Sequence, residues 1–175
     1  MRQLLFAFTL LYVASFPLQL AAQTGAAPET AKPVDLKRYA GRWYEQGRYE
    51  MRFQAGCEAV TADYAARGDG TISVINTCRQ DAVDGPSRSV TGTARVVDAP
   101  KNTKLRVSFF GPFEGDYWIL DRAPDYSWAI IGDGSRSYLW LLTRRQRSTE
   151  SEYRRLAARA AALGYDTAKI RSEEH

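Results

Sequence analysis

The chain has 175 residues, 45% of them hydrophobic and 12% aromatic, enough to bury one sizeable core, and no shift in composition marks a second domain. Its 24 basic and 20 acidic side chains leave a net charge of +4, spread along the chain without a basic block, which excludes a nucleic-acid-binding footprint. The single histidine, His175, stands at the end of the sequence, which excludes chemistry built on a histidine base or a histidine-ligated metal.

In chain order, residues 1–22 carry Arg2, an apolar run from Leu4 to Phe16 and a small-residue stretch ending at Ala22. That is the three-part pattern of a secretory signal, and the run is too short to span a bilayer. Residues 23–33, rich in Ala, Thr and Pro, read as a flexible leader. The folded domain is expected over residues 34–172. It begins where Asp35 can cap one helical turn, Gly41 lets the backbone reverse, and Trp43 opens a strand with its ring inward. The parity of Trp43 turns Glu45 inward as well.

Glu58–Tyr64 and Thr71–Thr77 read as two strands joined at Arg67-Gly68-Asp69-Gly70, a hairpin that brings Cys57 and Cys78 to its open end. Export to an oxidising compartment favours their pairing, and the rival reading is a reactive Cys57 thiol. The pairing needs a bulge or an irregular start near Gly56. Val60, Ala62 and Tyr64 share a face with Ile72 and Val74 only if paired residue numbers sum to an even value, and Cys57 with Cys78 sums to an odd one.

Alternation then predicts strands over Ser87–Val97, Thr103–Phe109 and Asp116–Asp121, the last with Tyr117 and Ile119 on one face. Further strands follow over Tyr126–Ile131 and Tyr138–Arg144. Tyr138–Arg144 is apolar on both faces, so an element is expected to cover its outer side. Thr149 to Glu152 is a capping box. Tyr153, Leu156, Ala160 and Leu163 recur at helical spacing and Gly164 stops the helix, while Ile170 suits a short edge strand.

Eight strands with short connections and no helix between them form an antiparallel meander, because parallel neighbours need long crossovers. Closed on itself, the sheet is an all-β, eight-stranded up-and-down β-barrel with one C-terminal α-helix packed outside, wide enough for one small ligand. Inward positions are expected to combine small residues (Gly47, Ala62, Gly92, Ala94) with Tyr64, Phe109, Tyr117, Ile119 and Trp140. They line an apolar cavity with phenol and indole handles, and Glu45 is a candidate polar contact.

Asp35 to Glu45, Val60 to Tyr64, Val107 to Phe113 and Tyr138 to Arg144, in this order and spacing, resemble the bacterial lipocalins, in the branch close to apolipoprotein D. The resemblance runs from about Val34 to Ile170. It implies a calyx that binds fatty acids, lysophospholipids or similar apolar molecules and serves lipid storage or transport in the envelope. It also carries the family's three motifs onto Gly41 and Trp43, onto Asp125 and Tyr126, and onto Arg144. Arg144 ends the strand that should lie beside the one Trp43 opens, so its guanidinium is expected over the indole face, closing one end.

No catalytic motif stands in the sequence, and no cofactor, metal or nucleic acid is expected. The alternative is a lipocalin-type isomerase using Glu45 or Cys57. Many of the related bacterial proteins are acylated on a cysteine at the end of the signal, whereas the first cysteine here is Cys57. A periplasmic or secreted carrier is therefore expected, monomeric or homodimeric, touching the outer membrane only transiently.

Overall fold

The computed structural model describes residues 26–175, so the expected signal segment over residues 1–22 lies outside the described residues. Asp35 caps the first turn as its sequence suggests, Oδ1 accepting from the amides of Lys37 at 2.9 Å and Arg38 at 3.3 Å. That turn is α1 (Leu36–Tyr39), and Gly41, at φ +93°, bends the chain from it into the sheet.

The sheet comprises β1 (Gly41–Tyr49), β2 (Cys57–Ala66), β3 (Ile72–Gln80), β4 (Ser87–Val96), β5 (Lys104–Phe110), β6 (Phe113–Arg122), β7 (Trp128–Gly132) and β8 (Leu139–Thr143), each antiparallel to the next. β1 closes the barrel by pairing on both sides. Its first half, Gly41–Tyr44, pairs with Tyr64–Thr61 of β2, and Tyr44–Arg48 pairs with Thr143–Trp140 of β8. The eight-stranded antiparallel barrel predicted from the alternation is therefore the fold.

Two bulges adjust the predicted faces. In β1 the register slips between Glu45 and Gly47, so Glu45 lies opposite Leu142, Gly47 opposite Leu141 and Arg48 opposite Trp140. Gly47, expected inside, therefore faces outward, where a Cβ would sit 3.0 Å from Ile170 and 3.2 Å from Tyr153. Arg48 takes the inward place. In β2 the slip falls between Glu58 and Thr61, with Ala59 at φ 49°, and it resolves the parity conflict between the cysteines. Cys57 and Cys78 form a disulfide with Cα atoms 5.3 Å apart, so the reading of Cys57 as a reactive thiol is overturned.

Tyr126, expected to open a strand, is instead a turn residue at φ 63°. Asp125 Oδ1 accepts from the Ser127 amide at 3.0 Å and its hydroxyl at 2.7 Å, and this tight turn delays β7 to Trp128. β6 starts earlier than predicted, at Phe113, because Gly111 (φ 56°) confines the reversal to a short turn.

Outside the barrel, α2 (Glu150–Ala162) carries the predicted capping box from Thr149 to Glu152 and seats Leu156 and Ala160 on Leu120, Ile130, Leu139 and Leu141. This is the cover the two-faced strand β8 required. β9 (Ile170–Ser172) then pairs with Tyr49–Gly47 of β1. The tail continues into the gap where β1 and β2 part, with the Glu173 amide on the Gln46 carbonyl and the Ala59 amide on the Glu174 carbonyl, both at 3.0 Å. At the other end of the chain, Pro28, Ala31 and Val34 are buried, and the Ala31 amide donates to the Ile119 carbonyl at 2.9 Å.

Candidate ligand-binding site

The barrel is stoppered at the end where β1 begins. Trp43 is fully buried, its Nε1 donating to the Tyr39 carbonyl at 2.9 Å, and the Arg144 guanidinium lies 3.8 Å over its ring. Arg144 reaches the carbonyls of Arg42 (2.7 Å), Arg38 (2.9 Å), Tyr39 (3.0 Å), Ala40 (2.9 Å) and Tyr126 (3.4 Å). Gly41 serves this through its φ of +93°, which side chains rarely adopt, while a Cβ there would meet Arg144 Nη1 only in ordinary contact at 3.4 Å. Tyr126 completes the stopper: its hydroxyl accepts the Asp35 amide at 2.8 Å, and its ring lies between Arg38 and Arg122 at 4.4 and 4.3 Å. Gly41, Trp43, Tyr126 and Arg144 thus meet at one end, with Asp125 shaping the turn that places Tyr126.

Above the stopper lies a floor of phenols. The Tyr39 and Tyr117 hydroxyls are 2.7 Å apart, and Tyr64 donates to Tyr117 at 2.8 Å. Burial pushes all three hydroxyls well above the ordinary tyrosine pKa, so they stay neutral donors. Ile72, Val74, Ala94, Leu105, Ile119, Ile131 and Leu142 continue the apolar wall. Gly92 is small for a reason, because a Cβ there would fall 2.6 Å from Phe109 Cδ1. Trp140, Tyr117, Phe109, Val107 and Ala62 pack against this same cluster and yet keep accessible surface, whereas Trp43 in the stopper keeps none.

Toward the mouth the wall turns ionic. Glu45 is inside, as its parity requires, and both its oxygens are engaged: Oε1 by Arg48 Nη1 at 2.9 Å and Oε2 by Gln54 Nε2 at 3.2 Å. Gln54 comes from the β1–β2 loop and also accepts from Trp140 Nε1 at 2.9 Å, so it ties that loop across the rings. Arg48 is fully buried and also pairs with Glu173 of the C-terminal tail and with the Cys57 carbonyl at 2.9 Å. Glu173 Oε1 accepts the Val60 amide at 3.3 Å, and Arg171 and Glu58 extend the network to the surface. Arg48, Gln54 and Glu173 escape a reading by alternation. The β1 bulge reverses the face of Arg48, and the other two arrive from a loop and a tail without periodicity.

Residues 34–175 match the family model described as a lipocalin-like domain. The chain is 39% identical over 152 residues to temperature-induced lipocalin-1 of Arabidopsis thaliana, covering 81% of this chain and 80% of that one. To outer membrane lipoprotein Blc of Escherichia coli (strain K12) it is 38% identical over 136 residues, covering 78% and 76%. Among solved structures, insecticyanin of the tobacco hornworm Manduca sexta superposes with a TM-score of 0.64 at 20% identity, covering 86% of this chain and 85% of that one. The antiparallel barrel stoppered at one end is the architecture of a lipocalin, and the chain belongs to the lipocalin family.

Lysine in place of Arg144 cannot reach the same set of carbonyls, so Arg144→Lys should lose about 2–4 kcal/mol of stability in urea unfolding, and a variant as stable as the parent contradicts the assignment. Burial, then the charge of Glu45, push the Glu173 carboxyl up to about 7 against the pull of Arg48. The folded state therefore holds that proton more tightly than an unfolded chain near pKa 4.3. The resulting stabilisation is complete below about pH 4 and is lost as pH rises through about 7, on the order of 2 kcal/mol. Urea midpoints of the parent should fall relative to Glu173→Gln between pH 5 and 8, and parallel profiles contradict it.

Proposed function

We propose that the calyx binds and carries small apolar molecules, fatty acids and lysophospholipids among them, and that this serves membrane upkeep in the cell envelope. The observation that carries the reading is the set of inward rings, Trp140, Tyr117 and Phe109, which are only partly buried in a barrel whose other end is sealed. An interior packed solid would hide them as it hides Trp43. Tyr64 and Ile119 line the same wall, and burial of an acyl chain along it is worth about 0.8 kcal/mol per CH₂.

The mouth supports the envelope setting. Phe53, between β1 and β2, and Phe110 and Phe113, where β5 turns into β6, are 61%, 67% and 80% exposed, apolar surface suited to brief contact with a bilayer during loading. Among the described residues no helix is long and apolar enough to cross a membrane. The isomerase alternative is disfavoured by the two groups it would need. Cys57 is consumed in the disulfide, and Glu45 is held by Arg48 and Gln54.

Titration with a fatty acid or a lysophospholipid should quench tryptophan fluorescence, and most of that change should vanish in Trp140→Phe. Absence of quenching across several lipid classes overturns the reading.

A further inference from the structure

Three phenolic hydroxyls carry three protons, and the floor cluster uses two. Tyr64 donates to Tyr117, one proton joins Tyr39 to Tyr117, and the three hydroxyls make no further hydrogen bond among the described residues. One O–H donor is left over in a desolvated place, where an unmet donor costs on the order of 1–3 kcal/mol. Whichever way the Tyr39–Tyr117 bond runs, the surplus proton belongs to one of those two residues.

Accessibility decides what can meet it. Tyr39 and Tyr64 are 3% and 6% exposed, while Tyr117, the hub of both bonds, is only partly buried and stands on the inner face of β6 opposite Leu105. The other unmet polar atoms of the inner wall, Arg48 Nε and Asn76 Oδ1, are themselves inaccessible. The phenols are held neutral by burial, and Arg144, whose charge bears on Tyr39 from the stopper, is covered by Trp43 and spent on carbonyls. A floor of this kind offers a donor and no accessible charge. It suits a neutral acceptor oxygen and penalises an ionised carboxylate, which would leave water without a counter-ion.

We propose that the Tyr39–Tyr64–Tyr117 cluster is an acceptor-oxygen subsite at the floor of the calyx, receiving the ketone, aldehyde, ester or un-ionised carboxyl oxygen of an apolar ligand that enters oxygen-first. This rests on the calyx reading above and specifies the polarity and direction of its ligand.

The test separates the two claims. Diphenylhexatriene, an oxygen-free fluorescent polyene, reports occupancy of the calyx, with dodecane and dodecan-2-one as competitors. The triple variant Tyr39→Phe/Tyr64→Phe/Tyr117→Phe removes every hydroxyl together, so no orphaned partner remains to destabilise the fold. Dodecane should compete equally in parent and variant, while dodecan-2-one should weaken about tenfold in the variant. A ketone affinity unchanged by the variant overturns the subsite and leaves the calyx standing, and failure of the parent to bind the polyene or either competitor overturns both. The parent alone supplies an independent arm. Isotope-edited infrared of bound dodecan-2-one carrying a ¹³C carbonyl should show one narrow band below its position in hexane, and a hexane-like band, or the broad band of the ketone in water, overturns the proposal.

Discussion

The contact between Arg144 and the segment from Arg38 to Arg42 turns a sheet into a cup. A meander of eight strands can lie open, with two unpaired edges exposed. Here the last of them delivers a guanidinium onto the carbonyls of Arg38, Tyr39, Ala40 and Arg42, just where the first strand begins, and lays it on the buried Trp43 ring. A planar fork of five donors suits this task, since the carbonyls at the end of so short a helix as α1 have few partners within the helix itself. With the end fixed, the inner faces of the strands converge on one interior, and the loops at the far end are free to vary.

That interior has a polarity that runs along its axis. Near the stopper it is neutral and donates through phenols. In the middle it is hydrocarbon, and toward the mouth it meets the Glu45, Arg48 and Glu173 network. Burying such ions is costly, and replacing them by apolar groups would often stabilise a fold as well. What the network does here is mechanical. It holds the C-terminal tail in the seam where β1 leaves β2, and through Gln54 it anchors the loop that leans on Trp140. The barrel interior is thereby bounded by elements from both ends of the described chain.

Much of this was legible in the sequence because the signals are local. Alternation marked the strands, Thr149 and Glu152 marked the helix start, and a Trp and an Arg at the two ends of the strand series foretold the stopper. What escaped is non-local. The slip at Gln46 that exchanges Gly47 for Arg48 accompanies pairing with a tail more than a hundred residues away, and the slip at Ala59 faces the same tail. An even count of residues along a strand has no access to that. Tyr126 departs from the strand for the opposite reason, since a single Asp side chain bonding two residues ahead overrides an apolar run that favours a strand.

Binding of an apolar molecule in the barrel requires open space between Phe109, Tyr117 and Trp140. Dry apolar cavities take up xenon, which needs no hydrogen bond and no charge. Diffraction from crystals pressurised with xenon should show the gas inside the barrel, in contact with those three rings and absent from the stoppered end around Trp43. An interior without xenon, its volume taken up by the side chains themselves, would contradict the account.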